Sequence, residues 1–284
     1  MKPQVMSDPE SVRDTVRGWK KQGLSIGLVP TMGFLHEGHA SLIRRAREDN
    51  ERVAVSIFVN PKQFSPSEDL DNYPRDMEHD LEVCRSEGAD LVFKPEPGQM
   101  YPNGFQTIVA VDKLASGLCG ASRPGHFTGV CTVVCKLFNI IHPDRAYFGR
   151  KDAQQLAVIT RMTRDLNMNV EIVGCPIVRE PDGLAKSSRN SYLDAKERGA
   201  ALCLRKALLL AEEAVAGGTA DAAQIRAVAR KTLEAEPLAR IDYIAVVDPD
   251  SLEEAQGEIG KKALVALAVF IGRTRLIDNT LIGR

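Results

Sequence analysis

The chain has 284 residues, 44% of them hydrophobic and 26% charged, with a formal net charge of -1. That balance fits a folded chain of one large or two ordinary domains, excludes extended disorder, and gives no general electrostatic reason to bind nucleic acid or an anionic membrane. No run reaches the roughly 18 consecutive apolar residues of a membrane span, and Met1 to Gly18 is polar where a signal peptide is apolar, so a cytoplasmic protein is expected.

In chain order, Asp8 to Gln22 reads as a helix and Leu24 to Pro30 as a short apolar strand closed by proline. Leu42, Ile43 and Ala46 recur at helical spacing with Arg44, Arg45 and Arg47 opposite, which places Gly38-His39 at or near a helix N-terminus. Arg52 to Val59 reads as a buried strand ending in the turn pair Asn60-Pro61, and a loop runs from Lys62 to Tyr73. Asp76 to Glu87 predicts a helix, Ala89 to Lys94 a strand and Gln106 to Val111 another strand.

Phe127, Val130, Val133, Val134, Leu137, Phe138 and Ile141 follow the three-four spacing of a helix started by Gly125-His126. Ala146 to Phe148 then predicts a strand, Lys151 to Asn167 a helix and Val170 to Arg179 a strand. This alternation predicts an α/β fold with a Rossmann-like, doubly wound parallel sheet. Asp194 to Ala216 and Asp221 to Glu234 read as helices, and Ile241 to Val247 and Ala263 to Ile271 as strands. The expected division is residues 1–185, and 186–284 as a smaller C-terminal α+β domain.

Six cysteines, Cys84, Cys119, Cys131, Cys135, Cys175 and Cys203, form no C-x-x-C pair, so neither a zinc knuckle nor a redox motif is indicated. Free, mostly buried thiols are expected. The spacing of Cys131 and Cys135 on a helix leaves open that two sulfurs meet there.

The stretch Val29 to His39 places two histidines, two glycines and a carboxylate after an apolar strand. Strand, glycine turn and helix N-terminus together present backbone N–H groups and the positive end of a helix dipole, which suits phosphate. Two imidazoles three residues apart can donate to one triphosphate and stabilise charge on departing pyrophosphate. The metal alternative lacks the H-E-x-x-H spacing and a third ligand. A pair of solvated turn histidines is the remaining alternative for the stretch alone. Gly149-Arg150-Lys151-Asp152 and Lys186-Ser187-Ser188-Arg189-Asn190 also follow strands, where a parallel sheet opens its carboxyl edge.

Pro30-Thr31-Met32-Gly33 with His36-Glu37-Gly38-His39 resembles the H-x-G-H signature of the nucleotidyltransferase superfamily, shared with class I aminoacyl-tRNA synthetases. The stretches Phe58 to Phe64, Asp69 to Arg75, Arg123 to Val130, Tyr147 to Gln155 and Ser187 to Asn190 are similar, in order and over nearly the whole chain, to the pantothenate synthetase (pantoate–β-alanine ligase) family. The resemblance implies that ATP, with Mg2+, and pantoate form pantoyl adenylate and pyrophosphate, and that β-alanine displaces AMP to give pantothenate.

Residue by residue, the resemblance implies an ATP site of Met32, Gly33, Phe34, Leu35, His36, Glu37, Gly38 and His39, with Gly149, Arg150, Lys151, Asp152, Val178, Lys186, Ser187, Ser188 and Arg189. It makes His39 the catalytic histidine and His36 its phosphate-contacting neighbour, and gives Lys151, Ser187, Ser188 and Arg189 catalytic contacts to phosphate. Val178 matches a backbone contact to adenine, and Gln63 and Gln155 match the residues that hold pantoate or β-alanine. No protein-held metal site is expected. A homodimer is implied, and residues 186–284 are expected to act as a lid.

Arg150, Lys186 and Phe34 depart from the family's usual residues, and the first two are expected to add attraction for the triphosphate. Two other functions fit the histidine turn alone: a nucleotidyltransferase acting on a phosphorylated acceptor, and a non-catalytic nucleotide sensor. The neutral pair Gln63 and Gln155 favours a hydroxy acid over a phosphate.

Overall fold

The computed structural model describes residues 2–65 and 70–283. The chain divides into two compact units, one of Met1–Lys113, Arg123–Arg150 and Val158–Pro176, the other of Leu114–Ser122, Lys151–Ala157 and Ile177–Arg284. The main run of the second unit thus begins at Ile177, and the unit also takes two short segments from earlier in the sequence.

The first unit is a six-stranded parallel sheet of β1 (Gln4–Met6), β2 (Ile26–Thr31), β3 (Arg52–Ile57), β4 (Leu91–Phe93), β5 (Arg145–Gly149) and β6 (Glu171–Cys175), in the order β1-β4-β3-β2-β5-β6. Helices α1 (Pro9–Lys21), α2 (Glu37–Asp49) and α3 (Met77–Ser86) come from the first half. Three single turns, α4 (Pro97–Met100), α5 (Lys113–Ser116) and α6 (Cys119–Ser122), precede α7 (His126–Ile141) and α8 (Ala153–Asp165).

Val29, Val53, Val55 and Val92 on one sheet face pack with Leu42, Ile43 and Ala46 of α2 and Cys84 of α3. On the other side α7 lies against β2 and α1, with Val130, Val134, Leu137 and Ile141 buried. The sheet is therefore covered by helices on both faces, as its nearly continuous apolar strands require. β2 is flanked by β3 and β5, so the strand order reverses there, the place where open α/β sheets bind ligands beyond their carboxyl ends.

The second unit holds α9 (Ala195–Ala216), α10 (Ala222–Glu234) and an antiparallel sheet of β7 (Ala239–Val247), β8 (Lys262–Ile271) and β9 (Thr274–Gly283). Ala201, Leu204, Leu208, Ile225 and Leu233 of its helices pack with Val246, Val265, Leu267 and Val269 of the sheet. The opposite face, with Ala245, Val247, Leu264 and Ala266, is met by Leu118 and Ala153. This packing is why residues 114–122 and 151–157 belong to this unit.

Three differences from the sequence expectations have physical causes. Gln106 to Val111 is not a strand: Val109 N donates to Thr132 Oγ1 at 3.0 Å instead of to a ladder, and Ile108 is exposed. β1 is too short to leave a periodic signal. β9 was not foreseen because its inward positions include the polar Thr274, Asp278 and Asn279. Residues 66–69 of the expected loop from Lys62 to Tyr73 lie outside the described residues, and all six cysteines are free.

Ile43 is fully buried between α2 and the sheet. Ile43→Ala is expected to cost about 2–5 kcal/mol of unfolding free energy in a urea titration.

Candidate active site

β2 ends at Thr31, whose Oγ1 donates to Ser56 O at 2.8 Å and accepts from Gly33 N at 3.2 Å, tying the turn to β3. Gly33 has φ +86 and Phe34 φ +50. A Cβ at Gly33 would lie 3.0 Å from Asp80 Oδ2, so this position takes glycine on both conformational and steric grounds. Two left-handed residues in succession cost of order 1–3 kcal/mol where the residue is not glycine, and need outside support.

Asp80 of α3 gives that support. Its buried carboxylate accepts from Phe34 N at 2.9 Å and Leu35 N at 2.6 Å, while Nε2 of neighbouring His79 lies 3.1 Å from Leu35 O. Burial pushes the Asp80 carboxyl above its ordinary range, and the hydrogen bonds from Leu35 and Phe34 oppose that rise.

His36 caps α2: its Nδ1 accepts from Gly38 N at 3.1 Å, and His39 Nδ1 accepts from His36 N at 3.3 Å. This is a capping box in which imidazoles replace the usual hydroxyl and carboxylate. Acceptance at Nδ1 assigns the proton of each neutral ring to Nε2. The rings stack with centroids 4.1 Å apart and planes inclined by 29°. Two Nε2–H donors thus come from a helix N-terminus, where the dipole favours an anion. Glu37, in the first turn, is 3.3 Å from Arg44 Nη1.

In the same unit Gln63 is buried, and both ends of its amide are engaged: Nε2 donates to Met32 Sδ at 2.9 Å and Oε1 accepts from Asn60 Nδ2 at 3.1 Å. Asn60 is itself fixed by Gly129 O at 3.0 Å and by Tyr101 Oη, which donates to Asn60 Oδ1 at 2.7 Å. Burial raises the Tyr101 phenol well above its usual range, which keeps it a donor. His126 Nδ1 lies 2.8 Å from Gln63 O, and Arg123 Nη1 is 3.0 Å from His126 Nε2. Because arginine only donates, His126 accepts at Nε2 and donates from Nδ1 to Gln63 O.

Gly149 ends β5, next to β2, and Arg150 Nε donates to Gly174 O at 3.1 Å.

Within the second unit, Lys151 O accepts from Asn279 Nδ2 at 2.9 Å, and Gln155 sits half-buried on the first turn of α8. Val178 O accepts from Lys186 N at 2.9 Å, closing a hairpin that brings these two expected site residues together. Ser187 caps a short turn by accepting from Arg189 N at 3.3 Å. Lys186 Nζ lies 2.8 Å from Glu180 Oε2. The attraction expected from Lys186 is therefore met by a local carboxylate, which sequence reading did not foresee.

Cys84, Cys131 and Cys203 are pushed up to about 12 by burial, so they stay thiols and offer no nucleophile. Among the described residues no group of three or more His, Cys, Asp or Glu is placed to hold a metal ion, and no helix is long and apolar enough to cross a membrane.

Asn60, His126 and Gly129 fall in the stretches that resemble the family but carry no site role there, and Asp80 falls only in an expected helix. A Cβ on Gly129 would fall 2.2 Å from Lys62 O, so α7 approaches the Gln63 turn as closely as glycine permits.

A Rossmann-like sheet with a histidine-capped helix leaving the strand at its switch point defines the nucleotide-binding α/β class. The chain belongs to the pantoate-beta-alanine ligase family, whose model matches residues 4–281 and whose reaction joins pantoate and β-alanine with ATP. It is 59% identical over 275 residues to a pantothenate synthetase of Enterococcus faecalis, covering 97% of each chain. With the Ruminiclostridium cellulolyticum pantothenate synthetase it shares 58% identity over 268 residues, 94% of this chain and 95% of that one.

Among solved structures, the Thermus thermophilus pantothenate synthetase superposes with TM-score 0.91 at 44% identity, covering 98% of both chains. A Francisella tularensis pantoate-beta-alanine ligase complexed with beta-gamma ATP and beta-alanine gives 0.81 at 33% identity, over 98% of this chain and 97% of that one.

Gly129→Ala is expected to lower stability by about 1–3 kcal/mol, because the added methyl pushes the Gln63 turn aside. A urea titration checks this. Since the folded state holds the Asp80 proton more tightly than the unfolded chain, the contribution of that group is fully present below its ordinary value of 3.8 and is lost as pH rises through the folded value. The unfolding free energy of the wild type relative to Asp80→Asn should therefore fall as pH is raised from near 4; a flat difference contradicts the assignment.

Proposed function

We propose that this chain makes pantothenate in two steps on one set of residues. A carboxylate oxygen of pantoate attacks the α-phosphorus of ATP, the bond from that phosphorus to the bridging oxygen breaks, and pyrophosphate leaves with the electron pair. The amine of β-alanine then attacks the acyl carbon of pantoyl adenylate, AMP leaves with the electrons of the carbon–oxygen bond, and the nitrogen loses its extra proton as the amide forms. No side chain acts as a covalent nucleophile.

The observation that carries the reading is the stacked His36–His39 pair, each ring accepting a backbone N–H at Nδ1 and so donating from Nε2 at a helix N-terminus. Such donors stabilise the charge that grows on phosphate oxygens as pyrophosphate departs. In this proposal residues Met32 to His39, Gly149 to Asp152, Val178 and Lys186 to Arg189 bind ATP. Lys151 and Arg189 supply cationic donors and Ser187 and Ser188 hydroxyls, which suits phosphoryl oxygens. Gln63 and Gln155 hold pantoate, whose hydroxyls and carboxylate can use both amide donors and acceptors.

Magnesium enters as part of the substrate MgATP, held by phosphates and water as that ion prefers. The lid role of residues 186–284 belongs to the same proposal. A homodimer and a cytoplasmic setting rest on the family likeness alone.

Pyrophosphate release from ATP should require pantoate and should not require β-alanine in the first turnover; AMP-coupled turnover should then need both acids. Release without pantoate, or none with all substrates, contradicts the order of steps. His39→Ala should lower the rate by roughly 100-fold, as losing one preorganised donor does elsewhere, with the melting transition retained.

A further inference from the structure

Asp278 and Asn279, the buried polar pair in the middle of β9, take no part in the chemistry proposed above. Asp278 accepts twice from Arg179, with Nη1 at 2.7 Å from Oδ2 and Nη2 at 3.0 Å from Oδ1. Arg179 follows Val178, pairs with Ala185, and donates from Nη1 to Gly183 O at 3.1 Å. Glu180 N donates to Leu184 O at 2.8 Å and Lys186 N to Val178 O at 2.9 Å, completing the hairpin that leads into Ser187. The bidentate pair therefore fixes this hairpin to β9.

Asn279, one residue on, faces the other side of the sheet: its partner on β8 is Ala266, which packs in the cluster containing Ala153, whereas Asp278 stands opposite Leu267 in the helix-facing core. From that side Asn279 Nδ2 donates to Lys151 O at 2.9 Å. Asn279 N also donates to Asp278 Oδ1 at 2.8 Å, so one carboxylate oxygen serves both the arginine and the backbone of the asparagine.

We infer that Asp278 and Asn279 are positioning residues that hold the Lys151 turn and the Val178–Lys186 hairpin at a fixed offset on opposite faces of one strand. Neighbouring residues of a strand have a set spacing and direction, so two loops referred to them cannot drift independently. An ion pair whose carboxylate is buried and whose arginine is half-buried adds little stability, because desolvation offsets most of its attraction; its geometric demand is what an apolar pair would not reproduce. The inference rests on the reading that both loops bind ATP, and it names what keeps them in register.

Two variants and a ligand-free measurement test it. Asn279→Ala removes the donor to Lys151 O and is expected to raise the ATP KM at least fivefold and to lower kcat for pantoate-dependent pyrophosphate release, with the pantoate KM within twofold of wild type. The double variant Arg179→Met with Asp278→Leu replaces the ion pair by apolar groups; it is expected to fold and to show the same rise in ATP KM. In the protein without nucleotide, amide hydrogen exchange should quicken over residues 150–155 in Asn279→Ala and over 178–186 in the double variant. Exchange unchanged in both segments, or ATP KM values within twofold of wild type in both variants, overturns the inference. The exchange experiment needs no ATP, so a failed nucleotide reading is told apart from a failed positioning role by wild-type pyrophosphate release.

Discussion

The carboxylate of Asp80 is the constraint on which the histidine turn depends. Gly33 and Phe34 both take left-handed backbone angles, and the peptide N–H groups of Phe34 and Leu35 are gathered onto a single buried carboxylate. Without that acceptor the two N–H groups would lose their partner, at about 1–3 kcal/mol for each one left buried, and the bend that starts α2 at His36 would keep only the Thr31 and His79 contacts. The capping arrangement follows from the bend. With their Nδ1 atoms occupied by backbone N–H groups, the two imidazoles can present only Nε2–H to a ligand in their neutral form. A strained turn supported by buried polar groups from a separate helix is the usual form in which a binding loop is preorganised.

The sheet puts this turn where it is useful. β2 and β5 are neighbours at the reversal of strand order, so the turns after Thr31 and after Gly149 leave adjacent strands in the same direction. Gln63 leaves β3, the other neighbour of β2, and is fixed by Asn60, Met32 and the backbone approach of Gly129. The second unit has its own frame: residues 151–157 and 114–122 pack on the face of an antiparallel sheet, and Gln154 joins them by accepting from Cys119 N at 2.9 Å and donating to Leu114 O at 2.9 Å and Gly117 O at 2.8 Å.

Much of this was legible in the residues. The parallel α/β sheet announced itself through short apolar strands alternating with amphipathic helices, and the histidine turn through glycine, histidine and carboxylate placed between a strand and a helix. What failed to show was whatever depends on contacts between distant residues. Asp80 looks like any polar residue of a surface helix, yet it is buried and bonded to residues 45 and 46 positions earlier. Gly129 shows no role of its own within the expected helix, although it is the point where α7 meets the Lys62 carbonyl. β9 hid because two of its buried positions carry Asp278 and Asn279, so the apolar alternation that marks a half-buried strand is broken by the residues with the most specific partners. Lys186 shows the reverse case: its charge was visible, but Glu180, which meets it, is a neighbour only through the hairpin.

In the proposed reaction His36 and His39 act as Nε2–H donors to the nucleotide. Nitrogen-15 NMR of the histidine side chains, assigned with His36→Gln and His39→Gln variants, measures this directly. Both rings should carry the proton on Nε2 with Nδ1 unprotonated, and both Nε2 signals should move when a non-hydrolysable ATP analogue is added. A proton on Nδ1 of either ring, or Nε2 signals indifferent to the nucleotide, would contradict the account.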